Sequence, residues 1–283
     1  MQGDPDVPLA SWLREGAPAG VDLHPESVGI FPSAHEPPSG EFDLTYYCDE
    51  SANYVSMDDS DHGDDVLQEL VDAGYVDNFM DPDAAQKALG VESIVTSKLA
   101  LITTMKNGVP KHRLILDCRV SGANAATTKH ERVLLPQVWD VIRDSLTLQS
   151  GLTQGQEVYY FVCDFKDAFY KLPIHPRERQ YFAAVFQGSI YVWRRVGQGS
   201  TNGPCLFGRL SAFVGRATQT IIPLSECKSQ IFVDDPILTL GTTRARAERL
   251  LTMACMLWMV ILALASPSTR ANSTELSIGS GTA

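Results

Sequence analysis

Apolar and polar residues recur along this chain with two different periods, and the places where the period changes mark its elements. In residues 64–73, DDVLQELVDA sets Val66, Leu67, Leu70 and Val71 at helical spacing behind an acidic first turn. Residues 82–89 predict a second short helix. Residues 97–104, SKLALITT, alternate weakly and become β-branched near their end; the turn Lys106-Asn107-Gly108 and the return run 113–118 complete a predicted hairpin. Residues 133–148 predict a helix with Pro136 near its start. The run VYYFVCD at 158–164 is almost continuously apolar and β-favouring, as a central buried strand would be. Two strands about Gln187-Gly188 follow in 183–194, then a helix over 206–220, then strands over 229–234 and 236–240. This mixed order predicts an α+β fold, with helices on one face of the sheet.

Two stretches need separate treatment. Residues 1–65 are rich in Pro, Gly, Ser and Asp, and predict a loop-like, largely disordered leader with short docked pieces around Trp12 and Ile30-Phe31. Residues 250–265, LLTMACMLWMVILALA, run 16 residues without a charge. A spanning helix needs about 20 apolar residues. The preceding Arg244, Arg246, Glu248 and Arg249 suit an amphipathic helix entering a core, so the expectation is a buried helix followed by a strand, with a membrane span as the competing reading.

Charge then changes the picture. Of 34 acidic residues, 20 precede residue 90, against two bases, Arg14 and Lys87; the rest of the chain holds 14 acids and 21 bases. The net charge of −11 therefore hides a basic module behind an acidic leader. Phosphate neutralisation is the main source of nucleic-acid affinity, so the basic part suits such a partner. The six cysteines show no C-x-x-C spacing, which points away from zinc sites and disulfide frameworks and towards reduced core thiols. The N-terminus has no basic n-region and no apolar run, so the expectation is a cytoplasmic or nuclear chain without a signal peptide and without stable membrane association.

The candidate chemistry lies in carboxylates. Asp164 ends an apolar run, and Asp234-Asp235 sits at a predicted hairpin tip, FVDDP, with no glycine to relax the turn. Adjacent acids repel, and a divalent cation would relieve this; Mg²⁺ takes oxygen ligands, commonly one or two carboxylates plus substrate phosphates. Taken singly, each of these features is also what an ordinary strand end or polar turn would show.

In combination they resemble a known family. CDFKDAFYKLPIHP at 163–176 resembles the first catalytic motif of retrotransposon reverse transcriptases, GQGSTNGPCLFGRL at 197–210 the second, and IFVDDP at 231–236 the third. KNGVPKHRLILDCRVSGAN at 106–124 resembles the fingers hairpin, and all four stand in family order. The style is closest to LTR- or tyrosine-recombinase-type retroelement polymerases. The resemblance implies a right-hand polymerase, fingers and palm, with an antiparallel palm sheet backed by helices. It divides the chain into the leader (1–63), a fingers-like region with N-terminal helices (64–162) and a palm (163–283). It implies RNA-directed DNA polymerase activity, with two Mg²⁺ or Mn²⁺ ions, a dNTP, and an RNA or DNA template with primer. Asp164, Asp234 and Asp235 would be catalytic metal ligands, with the carbonyl of Phe165 completing one site. Lys106, Arg113, Asp167, Ala168, Phe169 and Gln198 would bind the nucleotide, Phe169 excluding a ribose 2′-hydroxyl. Arg119, Asn124, Gly199, Gly203 and Pro204 would shape the template side, with Asp117 pairing a nearby base.

The resemblance weakens after residue 250. The family's Gly-containing turn and its Lys have no counterpart in LWMVILALASPSTRANSTELSIG, although TELSIG at 274–279 is a candidate remnant of the primer-gripping strands. No thumb or RNase H follows within the 283 residues. The expectation is a truncated domain of reduced activity. The alternative is a catalytically silent remnant that binds nucleic acid or protein.

Overall fold

A computed structural model describes residues 3–36, 44 and 53–265. In chain order its elements are α1 (Leu9–Glu15), β1 (Ser33–Glu36), α2 (Val55–Asp58), α3 (Gly63–Asp72), β2 (Val76–Phe79), α4 (Pro82–Leu89), β3 (Lys98–Lys106), β4 (Val109–Asp117), α5 (Ala123–Ala126), β5 (Lys129–Glu131), α6 (Val138–Gln149), β6 (Glu157–Val162), β7 (Ala183–Phe186), β8 (Ser189–Trp193), α7 (Gly203–Ile221), β9 (Cys227–Phe232), β10 (Asp235–Thr242) and α8 (Arg244–Leu264). Short 3₁₀ turns at Phe169–Lys171 and Pro176–Tyr181 link β6 to β7.

The fold is α+β, and every strand-to-strand pairing between these elements is antiparallel. The sheet that matters most has the order β6-β10-β9. Its successive side chains alternate faces. Phe161 and Cys163 point to the α8 side, where Phe161 meets Trp258 at 6.4 Å between ring centres. Tyr160 points the other way, its hydroxyl donating to Ser145 Oγ of α6 at 2.9 Å. Helices therefore cover both faces, not one: α7 and α8 line the core side, and α6 crosses the far end of the opposite face. Gly241 permits that crossing, since a Cβ there would meet Leu148 at 2.9 Å.

The predicted β3–β4 hairpin and the short helix over 82–89 are both present. Asn107 (φ +53) and Gly108 (φ +79) make the two-residue turn of the β3–β4 hairpin, in register with Lys106 opposite Val109. The Asp81 side chain caps α4, accepting from Ala84 N–H at 2.7 Å. Other expectations need correction. The predicted helix over 133–148 begins only at Val138, because Gln137 and Asp140 close a capping box beyond Pro136. β6 is not central: β10 holds that place, and Tyr160 and Val162 of β6 are exposed. Residues 250–265 contain no strand, because α8 runs unbroken to Leu264 through strong helix formers. One face of α8 buries Leu250, Ala254, Trp258 and Leu262, and the other exposes Met256, Val260 and Leu264. By length and composition alone α8 could cross a membrane. The candidate strand at 274–279 lies outside the described residues.

A break at 163 would separate β6 from β10, which it pairs over six residues, and would separate β2 from β8. Residues 3–36 dock around Trp12 as expected, and more widely. Leu9 and Trp12 are buried, and Asp6 is fully buried against Arg209 of α7. The fully buried Glu178 accepts backbone N–H groups from Ala19, Val21, Asp22 and Leu23. A chain that buries acids in this way needs their partners in place, and those partners lie over 150 residues away in sequence. Residues 37–43 and 45–52 of the leader lie outside the described residues.

Candidate active site

The three aspartates are gathered by strand pairing that continues past the last β6 residue. Ile237 lies opposite Val162 in the β10–β6 ladder. Beyond it, Cys163 N–H donates to Pro236 O at 3.3 Å and Phe165 N–H donates to Asp234 O at 2.9 Å. Asp164 thus runs alongside the β9–β10 hairpin tip. Phe232 pairs with Asp235, which leaves Val233 and Asp234 as a two-residue loop. Val233 has φ +59, a conformation glycine adopts freely and a β-branched residue rarely does.

The electrostatics follow from the crowding. Burial, then the charges of Asp235 and Asp164, raise the pKa of Asp234, while Arg113 opposes them. Burial and Asp164 likewise raise the pKa of Asp235, opposed by Lys106. These oxygen donors suit a hard divalent cation, which would offset that repulsion. Among the described residues no three His, Cys, Asp or Glu side chains stand in ready-made metal-ligating geometry.

Opposite the carboxylates lies the β3–β4 hairpin. Its register places Lys111 opposite Thr104 and Arg113 opposite Ile102, so Lys106, Lys111 and Arg113 share one face. A cavity of about 470 Å³ separates the two, lined by Lys106, Lys111, Arg113, Asp164, Phe165, Asp167, Ala168, Phe169, Gln198 and Asp234. The structure therefore brings all the nucleotide-site candidates to one cavity. Lys111 was missed in the sequence, although alternation from Arg113 carries the signal. Asp167 (φ +55) precedes Ala168 in right-handed conformation, a pairing that turns successive N–H groups to one side, as anion-binding nests do. The Phe169 ring packs on Phe207 at 5.3 Å.

The template-side candidates divide. Asp117 pairs a base as expected: Arg119 donates to both its oxygens at 2.8 Å, and Tyr54 adds a third bond at 2.7 Å. That charge-assisted set holds the Asp117 carboxyl well below the usual range, Arg119 contributing most. Asn124 grips the Gln198 loop, donating to Gly199 O and accepting from Thr201 N–H, each at 2.9 Å. Gly199 is required by protein rather than template: at φ +119, a Cβ would lie 1.9 Å from Leu116 O of β4. Gly203 and Pro204 start α7, Pro204 sitting in its first turn where no N–H is missed.

The family model for reverse transcriptase (RNA-dependent DNA polymerase) matches residues 104–257, more than half of the chain. The chain belongs to that family. The match runs from the outer part of the β3–β4 hairpin through both aspartate segments and into α8. Reverse transcriptases generally use divalent metal ions. The chain is 31% identical over 119 residues to the Gag-Pro-Pol polyprotein of bovine leukemia virus (isolate Australian), covering 39% of this chain. It spans only 8% of that polyprotein's length. A solved foamy viral protease-reverse transcriptase in complex with double-stranded DNA superposes on 87% of this chain and 34% of that one, at TM-score 0.48 and 19% identity.

Proposed function

We propose that this reverse transcriptase chain catalyses RNA-directed DNA synthesis: a primer 3′-hydroxyl attacks the α-phosphate of a dNTP and pyrophosphate leaves. The observation that carries this reading is the cavity in which Asp164 and Asp234 face Lys106, Lys111 and Arg113. A triphosphate needs cations on one side and a means of gathering its reacting oxygens on the other, and catalysis of this transfer is mostly positioning and electrostatics.

Lys106 and Lys111 act as mobile point charges on phosphate oxygens, and Arg113 presents a planar fork. The N–H groups of Asp167 and Ala168 take further phosphate oxygens. Asp164, Asp234 and Asp235, with the Phe165 carbonyl, would hold two Mg²⁺ or Mn²⁺ ions. Such ions, when bound, activate the attacking hydroxyl and stabilise the leaving oxygen. Gln198 packs against the nucleotide, held in place by the Asn124 grip on its loop. The primer–template lies along the open end of the β6-β10-β9 sheet beside Val162 and Phe232.

Primer extension on a poly-rA/oligo-dT template with Mg²⁺ or Mn²⁺ tests the reading. A ladder of DNA products is the expected result. Template binding without extension in either ion would instead support a silent nucleic-acid-binding remnant. The sugar filter gives a second prediction. Phe169→Val should lower the preference for dNTP over rNTP by about tenfold or more, the scale that one steric group contributes to selectivity. An unchanged ratio of kcat/KM values would remove Phe169 from this role.

A further inference from the structure

Ser211 lies midway along α7 and is 3% exposed. Serine and threonine hydroxyls inside helices usually donate to the carbonyl four residues back. Thr218 and Thr220 of this same helix do so, to Val214 O and Arg216 O. Ser211 instead donates out of its helix to the carbonyl of Val233, at 2.7 Å. That carbonyl belongs to the peptide between Val233 and Asp234, the middle peptide of a turn entered at φ +59 without glycine. The orientation of the middle peptide is what distinguishes one tight turn type from another. The next carbonyl, of Asp234, accepts from Phe165 N–H at 2.9 Å. Asp234 is therefore held on both sides, by α7 through Val233 and by the Asp164 segment through its own carbonyl.

The anchor itself is firm. Two residues before Ser211, Arg209 is buried against Asp6 and lies 4.1 Å over the Trp12 ring; five residues beyond it, Arg216 donates to both Asp4 oxygens at 2.8 and 2.9 Å. A cavity of about 720 Å³ adjoins the contact, lined by Gly208, Ser211, Gly215, Ile231 and Val233 among others.

We propose that Ser211 is a positioning residue: its bond to Val233 holds the hairpin in the strained turn that presents Asp234 to Asp164. The consequence for catalysis rests on the polymerase reading above, whereas the hold on the hairpin does not. Ser211→Ala should speed amide hydrogen exchange in residues 228–238 by roughly fivefold, the scale of one neutral hydrogen bond, with α7 unchanged. Its kcat in primer extension should fall by a similar factor, with KM for dNTP within about twofold of the parent. Ser211→Thr keeps the hydroxyl and should restore both. Parental exchange in the hairpin of Ser211→Ala would overturn the proposal. So would acceleration spread equally through α7, or no recovery in Ser211→Thr. If the parent chain extends no primer in either metal ion, the polymerase reading fails, while the exchange measurement still decides the hold.

Discussion

In primer extension, Asp234→Asn should reduce turnover by roughly a thousandfold or more. Gathering charge around a transferring phosphoryl group contributes several kcal/mol to the transition state, and each 1.36 kcal/mol is about tenfold in rate. The asparagine is nearly isosteric and keeps the backbone bond that Phe165 N–H donates to the carbonyl of residue 234, so the loss reads charge rather than architecture. In metal-free buffer the variant should be no less stable than the parent, because one of three mutually repelling carboxylates is gone. Single-turnover extension with saturating dNTP and metal provides the measurement. A residual rate above about a tenth of the parent would place the chemistry elsewhere.

Asp6→Ala should cost about 3 kcal/mol of folding stability, although residue 6 stands more than 150 positions before the site. Both side chains of the Asp6–Arg209 pair are essentially inaccessible, at 0% and 1%. Removing one partner of a buried pair leaves an uncompensated charge, at about 3–5 kcal/mol. The low end applies because Arg209 keeps Glu26 O at 2.6 Å, Glu131 at 4.0 Å and the Trp12 ring. Replacing both partners together, Asp6→Leu with Arg209→Met, should cost much less than Asp6→Ala alone. Asp4→Ala, which breaks the partly exposed pair with Arg216, should cost about 1 kcal/mol or less. Urea denaturation of the four chains would test the series. Equal losses at Asp4 and Asp6 would show that burial of the pair is not what holds the N-terminal segment.

These two predictions meet on α7, which receives the N-terminal clamp at Arg209 and bonds the β9–β10 hairpin through Ser211. The clamp also accounts for part of the charge asymmetry. Some of the acids before residue 90 are spent on internal pairs: Asp6 is fully buried against Arg209, and Asp4 is partly buried against Arg216.

What the sequence determined by itself was governed by neighbours in the chain. The Asn107-Gly108 turn, the Asp81 cap, the helical spacing of 64–73 and the strand alternation about Gln187-Gly188 each depend on contacts within a few residues. The aspartates, Lys106, Arg113, Phe169 and Gln198 were legible as motifs because their spacing survives in the linear order. Tertiary structure decided what depends on partners far apart. An apolar run at 158–164 cannot announce that it will be an edge, because strand order is set by which strand β10 finds on each side. Residues 3–36 cannot announce how they pack, because the cost of burying Asp6 is met by Arg209 and that of burying Glu178 by backbone N–H groups of residues 19–23, in each case over 150 positions away in sequence. Ser211 carries no sequence signal, since a helical serine ordinarily satisfies itself four residues back. Only the approach of α7 to the β9–β10 hairpin offers it Val233 instead.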